Sequence, residues 1–250
     1  MASDAAMTQR VLEVFRDARG LYGSPRVTRQ LGRLGIEVGR RRVARLMRLA
    51  QLQGRSARLY RRSKVGQRNF YRGHPNATHG VTTNRPNQLW VADVTYVRVA
   101  GHWRYLAVVM DRHSRKILGW SLGRNRDALL TRRALAHAVK WRRPSPGVLF
   151  HSDRGIEYAA FDLGETLSRL GFLQSMNRPR RMNDNAHMES FFHSLKTEWL
   201  YGMTFHTDSG LRAALFDYVR FYNQQRLHSS LGYLPPVVFE ARTPNHPGVN

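Results

Sequence analysis

Three acidic residues have the types and spacing that metal-assisted phosphoryl transfer requires. Asp93 lies within an alternating apolar segment, Asp153 ends another, and Glu189 follows Asp153 after 35 intervening residues. A carboxylate among apolar neighbours is costly unless it is paired or bound to a cation. Two hard cations about 4 Å apart, held by carboxylates, activate the attacking oxygen and stabilise the leaving oxygen. We therefore expect Asp93, Asp153 and Glu189 to act as metal ligands and catalytic residues.

The expected cofactor is a pair of Mg²⁺ ions, for which Mn²⁺ is able to substitute. The chain has no Cys, and no His cluster offers a zinc site. Three other acids are weaker ligand candidates. Asp111 is expected at a strand end or turn, Asp184 is expected to cap a helix, and Glu157 adds negative charge near the metals.

The segment that carries Glu189 is predicted to be an amphipathic helix from Asp184 to Leu200. Glu189 and Lys196 are seven residues apart, so an α-helix would place them about 20° apart in azimuth and about 10 Å apart along its axis. Lys196 is therefore a candidate DNA contact, although both residues also suit an ordinary charged helix surface. The apolar stripe of the same helix is Met188, Phe191, Phe192, Leu195 and Trp199.

From residue 88 onward, the apolar residues follow a period of two. The elements of this region must position the three acids. Alternation and apolar runs predict five strands, with three helices following the third strand. An antiparallel meander that leads into alternating strands and helices predicts an α/β fold. The sheet is expected to be mixed, with helices on its faces. The five predicted strands are 89–97, 105–111, 116–121, 148–153 and 173–177, and the helices are 128–141, 161–170 and 184–200.

Three short amphipathic segments precede the sheet, at 8–18, 24–34 and 40–50. Ser24 is expected to cap the second, with Pro25 in its first turn. The third segment is strongly basic, which favours a small all-α, helix-turn-helix-like DNA-binding domain. A plain three-helix bundle with a solvated basic face is the alternative. The candidate DNA-binding residues of the third segment are Arg40, Arg41, Arg42 and Arg45.

The charge of the chain favours a polyanionic partner. The 250 residues carry a formal net charge of +24, and residues 1–80 contain 17 Arg and one Lys against four acids. Phosphate neutralisation and counterion release make double-stranded DNA the expected partner, against a solvated surface or an acidic protein. No apolar run approaches the roughly 20 residues of a membrane span, and no signal-peptide pattern opens the chain. We expect a soluble, intracellular protein.

Four segments are predicted from these patterns. Residues 1–51 form the helix-turn-helix-like domain, residues 52–87 form a basic linker, residues 88–205 form the catalytic core, and residues 206–250 form a C-terminal helix and tail that pack on the core.

Several stretches of the chain resemble the integrase-like transposases of the IS-three family of insertion sequences, specifically the product of the second reading frame. The resemblance covers nearly the whole chain. It is carried by Leu89–Tyr96, His151–Gly155, Asp184–Phe192 with Leu195 and Lys196, Phe221–Asn223 with Arg226 and His228, and Leu231–Pro236, and upstream by Tyr22–Arg26 and Arg42–Met47.

The resemblance implies an RNase H-like core in which Asp93, Asp153 and Glu189 are the DDE triad and Lys196 is the basic residue of the same helix. It also implies cleavage at the ends of the element, strand transfer by the freed 3′-hydroxyl, and insertion after a joined-ends circle. The implied partners are the terminal inverted repeats, target DNA, further copies of the chain on DNA, and an upstream-frame helix-turn-helix protein as a partner or fusion.

The chain departs from the family pattern at two places. Ile156-Glu157-Tyr158 stands where the family often has Ser-Gln-Tyr, and residues 180–183 replace a Gly-Cys-Trp-like stretch. Three alternatives to a transposase remain. They are an inactive or domesticated DNA-binding derivative, another RNase H-like nuclease, and a regulator that uses the helix-turn-helix.

Overall fold

The computed structural model describes residues 3–55, 74–179 and 181–243 of the chain. The chain divides into two compact units. The smaller unit comprises Met1–Arg62 with His193–Tyr201, and the larger comprises Ser63–Phe192 with Gly202–Asn250. The central part of the predicted basic linker, residues 56–73, lies outside the described residues. The four segments predicted from the sequence therefore stay a prediction.

Residues 3–55 of the smaller unit form the α-helices α1 (Asp4–Asp17), α2 (Ser24–Arg33) and α3 (Arg40–Leu49). The side chain of Ser3 caps α1 by accepting from the Ala6 N–H. The N-cap of α2 is Gly23 rather than the predicted Ser24, which is the first helical residue. Apolar positions at helical spacing form the core of the three helices: Met7, Val11, Val14, Val27, Leu31, Val43, Leu46 and Met47 are all buried.

A six-residue π-helical turn, Leu195–Leu200, also belongs to the smaller unit. The Arg19 guanidinium lies 4.9 Å from the ring centroid of Trp199, a favourable cation–π arrangement. Arg26 is 3.4 Å from the buried Glu198 carboxylate. These contacts attach the turn to the three-helix bundle.

The larger unit is built on a mixed five-stranded sheet with the order β3-β2-β1-β4-β5. The β1–β2 and β2–β3 pairs are antiparallel, whereas β1–β4 and β4–β5 are parallel. The predicted sheet is therefore confirmed in strand number and mixed direction. The strands are β1 (Leu89–Val99), β2 (His102–Asp111), β3 (Ile117–Gly123), β4 (Leu149–Ser152) and β5 (Leu173–Met176).

Six α-helices follow β3 in the part of the chain that the structure describes. They are α4 (Ala128–Arg142), α5 (Ile156–Ala159), α6 (Phe161–Arg169), α7 (Ala186–Ser194), α8 (Asp208–Gln224) and α9 (Pro236–Arg242). Helix α4 approaches the sheet closely at Gly119, where an added Cβ would lie 2.6 Å from the Ala138 nitrogen. Only glycine fits at this crossing. The buried cluster between sheet and helices includes Trp90, Leu135, Phe150, Tyr158 and Leu163.

The C-terminal helices are attached to the sheet by polar contacts as well as by packing. The Asn223 side chain of α8 bonds both the nitrogen and the oxygen of Ile117, each at 2.9 Å, and so pairs with the edge strand β3. No helix in the part of the chain that the structure describes is long and apolar enough to span a membrane.

Candidate active site

The parallel pairing of β1 with β4 ends close to two of the predicted catalytic acids. Val91 is paired with His151, and Asp93 and Asp153 each lie two residues further along the chain. Neighbouring strands are about 4.8 Å apart, so the same register, continued by two residues, would bring the two acids level with each other. Asp93 lies inside β1, whereas Asp153 is the first residue after β4. That these two acids share a metal site stays a prediction.

Both aspartates are oriented by nearby backbone groups. Asp93 Oδ1 accepts from the Val94 N–H at 2.8 Å, and Asp153 Oδ1 accepts from the Gly155 N–H at 3.0 Å. Asp153 is buried and Asp93 is half-buried.

His151 supports the strand that presents Asp153. Its ring is buried, with Nδ1 2.9 Å from Ser175 Oγ and Nε2 2.8 Å from Asn177 Oδ1. Burial lowers the pKa of His151 to about 4, so the ring is neutral at pH 7. Arg154 Nε donates to the backbone oxygen of Asn177 at 2.6 Å. These bonds fix the end of β4 against the chain that leaves β5.

The helix that carries Glu189 is anchored to β1 beside Asp93. The Asn185 side chain, buried just before α7, donates to the Ala92 oxygen at 2.9 Å. Arg112 donates to His187 Nε2 at 3.3 Å. Glu189 lies in the first turn of α7 and is half-buried. The bond from Asn185 thus ties the start of this helix to the residue that precedes Asp93.

Asp184 does not cap α7, contrary to the prediction. Its carboxylate accepts from the backbone and guanidinium of Arg178 and from the Asn76 amide, at 2.7 to 3.1 Å. The hydrogen bonds from Arg178 hold the pKa of Asp184 well below its usual range. Residues Met182–Asn185 form a 3₁₀ turn, so the helix begins two residues later than predicted. Asp111 is the last residue of β2, as predicted. Its carboxylate accepts from the backbone N–H groups of Asn87, His113 and Ser114.

Arg126 and Glu157 form an ion pair beside the two aspartates. Arg126 Nη2 lies 2.6 Å from Glu157 Oε1 and 3.8 Å from Asp153 Oδ2. Burial alone would lower the pKa of the Arg126 guanidinium, but its hydrogen bond to Glu157 and the Glu157 charge raise it. The charges of Asp153 and Asp93 raise it further. The sequence reasoning missed Arg126, because a single arginine in a loop of an arginine-rich chain carries no signal.

The donor set fits a hard divalent cation, although the three acids do not form a finished metal cage. In residues 3–55, 74–179 and 181–243, no group of three or more His, Cys, Asp or Glu side chains is close enough to hold a metal ion. The adjacent aspartates offer carboxylate oxygens, which magnesium prefers. Glu189 is the third carboxylate of the predicted set, on the helix anchored next to Asp93.

The predicted DNA-binding residues differ in their surroundings. Arg40 and Arg41 are exposed at the start of α3. Arg42 and Arg45 both contact the Asp4 carboxylate, at 2.8 and 2.5 Å. These two bonds lower the pKa of Asp4. Half of the predicted arginine set therefore has an acidic partner within the same unit.

Lys196 lies on the π-helical turn and not on an α-helix. The α-helical geometry that predicts a shared face for Glu189 and Lys196 ends at Ser194. A π-turn contains more residues than an α-turn, so the predicted azimuth does not apply to Lys196. The lysine is half-buried within the smaller unit, and its role in DNA binding stays a prediction.

Comparisons with known proteins agree with this architecture. Integrase core domain models match residues 83–182 and 170–236, and an HTH-like domain model matches residues 2–60. A chain of the simian T-cell lymphotropic virus intasome superposes with a TM-score of 0.55 at 18% identity. That match covers 74% of this chain and 64% of the viral chain, and it shows the fold. The molecule is therefore an integrase-core protein of RNase H-like α/β fold, preceded by an HTH-like domain.

Similar sequences define the family more closely. The chain is 33% identical over 236 residues to the transposase for insertion sequence element IS904 of Lactococcus lactis, covering 94% of this chain and 93% of that protein. It is 36% identical over 243 residues to transposase InsF for insertion sequence IS3A of Escherichia coli, covering 92% and 80%. The chain belongs to the IS-three family of insertion-sequence transposases. The family resemblance and the fold class predicted from the sequence are both confirmed.

Proposed function

We propose that this transposase cleaves DNA at the ends of an insertion sequence and joins the freed ends to new DNA, with Asp93, Asp153 and Glu189 as its metal-binding catalytic residues. The observation that carries the proposal is the β1–β4 register, which pairs Val91 with His151, and each of these residues comes two positions before an aspartate of the set. The Asn185 bond to Ala92 supports it, because it attaches the helix of Glu189 at the same place.

Two Mg²⁺ ions, or Mn²⁺ in their place, would supply charge neutralisation on the scissile phosphate and a more acidic attacking oxygen. Asp93 would hold the ions from β1, Asp153 from the residue after β4, and Glu189 from α7. The backbone bonds to the two aspartates orient their carboxylates for this task. Water is the nucleophile of the cleavage reaction, and the 3′-hydroxyl that it frees is the nucleophile of strand transfer.

The proposed DNA partners are the terminal inverted repeats of the element and its target. The net charge of +24 favours phosphate contacts throughout the chain. Arg40, Arg41, Arg42 and Arg45 are the proposed contacts of the helical domain, and Lys196 is a further one. We propose that several copies assemble on paired ends, with an upstream-frame helix-turn-helix protein as partner or fusion. Such a protein would work at the nucleoid in the cytoplasm.

The proposal is tested by measuring strand cleavage and strand transfer on DNA that carries the element's terminal repeats. Wild-type protein should cut in Mg²⁺ and in Mn²⁺ and should be inactive in EDTA. Asp93→Asn, Asp153→Asn and Glu189→Gln should each lower cleavage by at least about 1,000-fold, while DNA binding changes little. The matched control is Asp162→Asn, which neutralises an exposed carboxylate on α6.

Cleavage at the wild-type rate by any of the three variants contradicts the assigned site. Specific binding of the repeats without cleavage, in both ions and with the upstream-frame product added, contradicts the enzymatic proposal and favours a DNA-binding derivative.

A further inference from the structure

The Arg126 guanidinium lies close to two carboxylates at the edge of the candidate active site. Arg126 precedes α4, and both Nε and Nη2 approach Glu157 Oε1, at 2.7 and 2.6 Å. The same Nη2 lies 3.8 Å from Asp153 Oδ2. Arg126 is therefore bound firmly to Glu157 and also lies within ion-pair distance of a predicted metal ligand.

The Glu157 carboxylate is not on the surface of the protein. Its side chain is fully buried and belongs to the short helix α5. Its second carboxylate oxygen, Oε2, is buried with no hydrogen-bond partner in the described part of the chain. A buried carboxylate with an unpartnered oxygen is costly, so its contact with Arg126 is the compensation that the fold provides.

Three carboxylates surround this guanidinium and the neighbouring Tyr158 ring. The pKa of the buried Tyr158 hydroxyl is raised by burial first and then by the charges of Asp93, Glu157 and Asp153. Tyr158 is buried and belongs to the hydrophobic core cluster. The negative charge is thus concentrated in one region, where Arg126 provides a positive charge.

We propose that Arg126 is a resident cation of the acidic site and that Glu157 is the positioning residue that holds it there. Before a divalent ion binds, the guanidinium partly neutralises Asp153 and Asp93. When an ion binds, the pair with Glu157 retains Arg126 and limits its competition for the Asp153 carboxylate. This inference rests on the proposed function, because it assumes that Asp153 is a metal ligand.

The proposal predicts that the two partners have opposite effects on metal affinity. Arg126→Gln removes a positive charge beside Asp153 and should tighten binding of a divalent ion. Glu157→Gln removes a negative charge and releases Arg126 to pair with Asp153, so it should weaken binding. For one partly screened charge at this distance we expect a change of about tenfold in each direction. If Arg126 and Glu157 had only a structural role, the two substitutions would not shift the affinity for the divalent ion in opposite directions.

The test measures Mn²⁺ binding to the full chain without DNA, by electron paramagnetic resonance of the free ion. Asp153→Asn defines the binding that is unrelated to the site. The matched control removes the exposed pair Arg132 and Asp162, which are 3.3 Å apart, through Arg132→Gln and Asp162→Asn. Both control variants should keep the wild-type affinity within about twofold.

If Arg126→Gln fails to fold, the cause is the buried Glu157 carboxylate, which has lost its counterion. A third comparison then keeps the test decisive. Glu157→Gln and the double variant with Arg126→Gln both lack the buried charge and differ only at Arg126. The double variant should bind Mn²⁺ about tenfold more tightly than Glu157→Gln.

The outcomes separate this inference from the proposed function. If wild-type protein binds Mn²⁺ through Asp153 and the two substitutions shift the affinity in the same direction or not at all, the resident-cation role is wrong while the metal site stands. If wild-type protein and Asp153→Asn bind Mn²⁺ equally weakly, the metal site itself is wrong, and the role of Arg126 is wrong with it.

Discussion

The substitution Glu240→Gln is expected to destabilise the larger unit by about 3 kcal/mol at pH 7. Glu240 lies on α9 and is buried. Its carboxylate accepts from both terminal nitrogens of Arg142, from Lys116 at 2.9 Å and from Ser114 at 2.6 Å. Glutamine keeps the shape of the side chain and removes the charge. The Arg142 guanidinium, almost as buried, then loses its principal counterion.

Two arguments give the same magnitude. Burial alone would raise the pKa of Glu240, but the hydrogen bonds and charge of Arg142, with Lys116 and Ser114, lower it to about 2 from a usual 4.5. At about 1.4 kcal/mol per pKa unit, this shift corresponds to about 3 kcal/mol. Breaking a buried ion pair by removing one partner costs about 3–5 kcal/mol in other proteins.

The stability that Glu240 contributes is expected to fall as the pH is lowered. Between pH 4.5 and 2 the unfolded chain protonates Glu240 while the folded chain does not, so lowering the pH removes the stabilisation. The stability difference between wild type and Glu240→Gln should therefore be full above pH 4.5 and shrink as the pH falls toward 2.

Urea unfolding followed by tryptophan fluorescence measures this difference, since Trp90, Trp103, Trp120 and Trp141 all lie in the larger unit. The matched control is Asp162→Asn, which should change stability by less than about 1 kcal/mol. A loss below about 1 kcal/mol for Glu240→Gln, or a difference that stays constant down to pH 3, refutes the reasoning.

Three further predictions concern the packing of α4, the anchoring of α7 and the basic helix α3. Gly119→Ala should destabilise the fold by at least about 2 kcal/mol in urea unfolding, because the new methyl group meets the backbone of α4; unchanged stability contradicts the close approach. Asn185→Ala leaves the Ala92 oxygen without this donor, at a cost of about 1–3 kcal/mol. It should slow strand cleavage about tenfold or more without weakening DNA binding, and equal cleavage contradicts an anchoring role. Asp4→Asn should tighten nonspecific DNA binding about threefold and steepen its salt dependence, because two arginines of α3 lose their acidic partner; an identical salt slope contradicts a DNA-binding role for those arginines.

The sheet could be predicted from the sequence because its strands have a clear period. Alternation predicted a strand over 89–97, and β1 extends to Val99. Helix α4, predicted over 128–141, ends at Arg142. Both elements bury an apolar face whose spacing is visible in the chain.

Local geometry without a periodic signature could not be predicted. The stripe that includes Leu195 and Trp199 is buried as expected, yet it does not reveal that the helix widens to a π-turn after Ser194. Helix α5 is only four residues long and has no pattern of its own. Asp184 has the residue type of a cap, but Arg178 and Asn76 bind its carboxylate, and only the folded chain brings these residues together.

The sequence offers candidate acids for the site but not their surroundings. The spacing and flanking residues of Asp93, Asp153 and Glu189 single these acids out, and their role as metal ligands stays a prediction. Arg126 and Asn185 contact the site through loops and turns whose paths depend on tertiary structure. Their roles follow from distances that sequence spacing does not encode.

The most direct test of the account is to locate the metal ions themselves. Crystals of the protein with terminal-repeat DNA and Mn²⁺ would reveal the ions by anomalous scattering. The account predicts two peaks, both coordinated by carboxylates from the set Asp93, Asp153 and Glu189. Peaks held by other residues, or none at these acids in crystals whose dissolved protein cuts DNA with Mn²⁺, would contradict it.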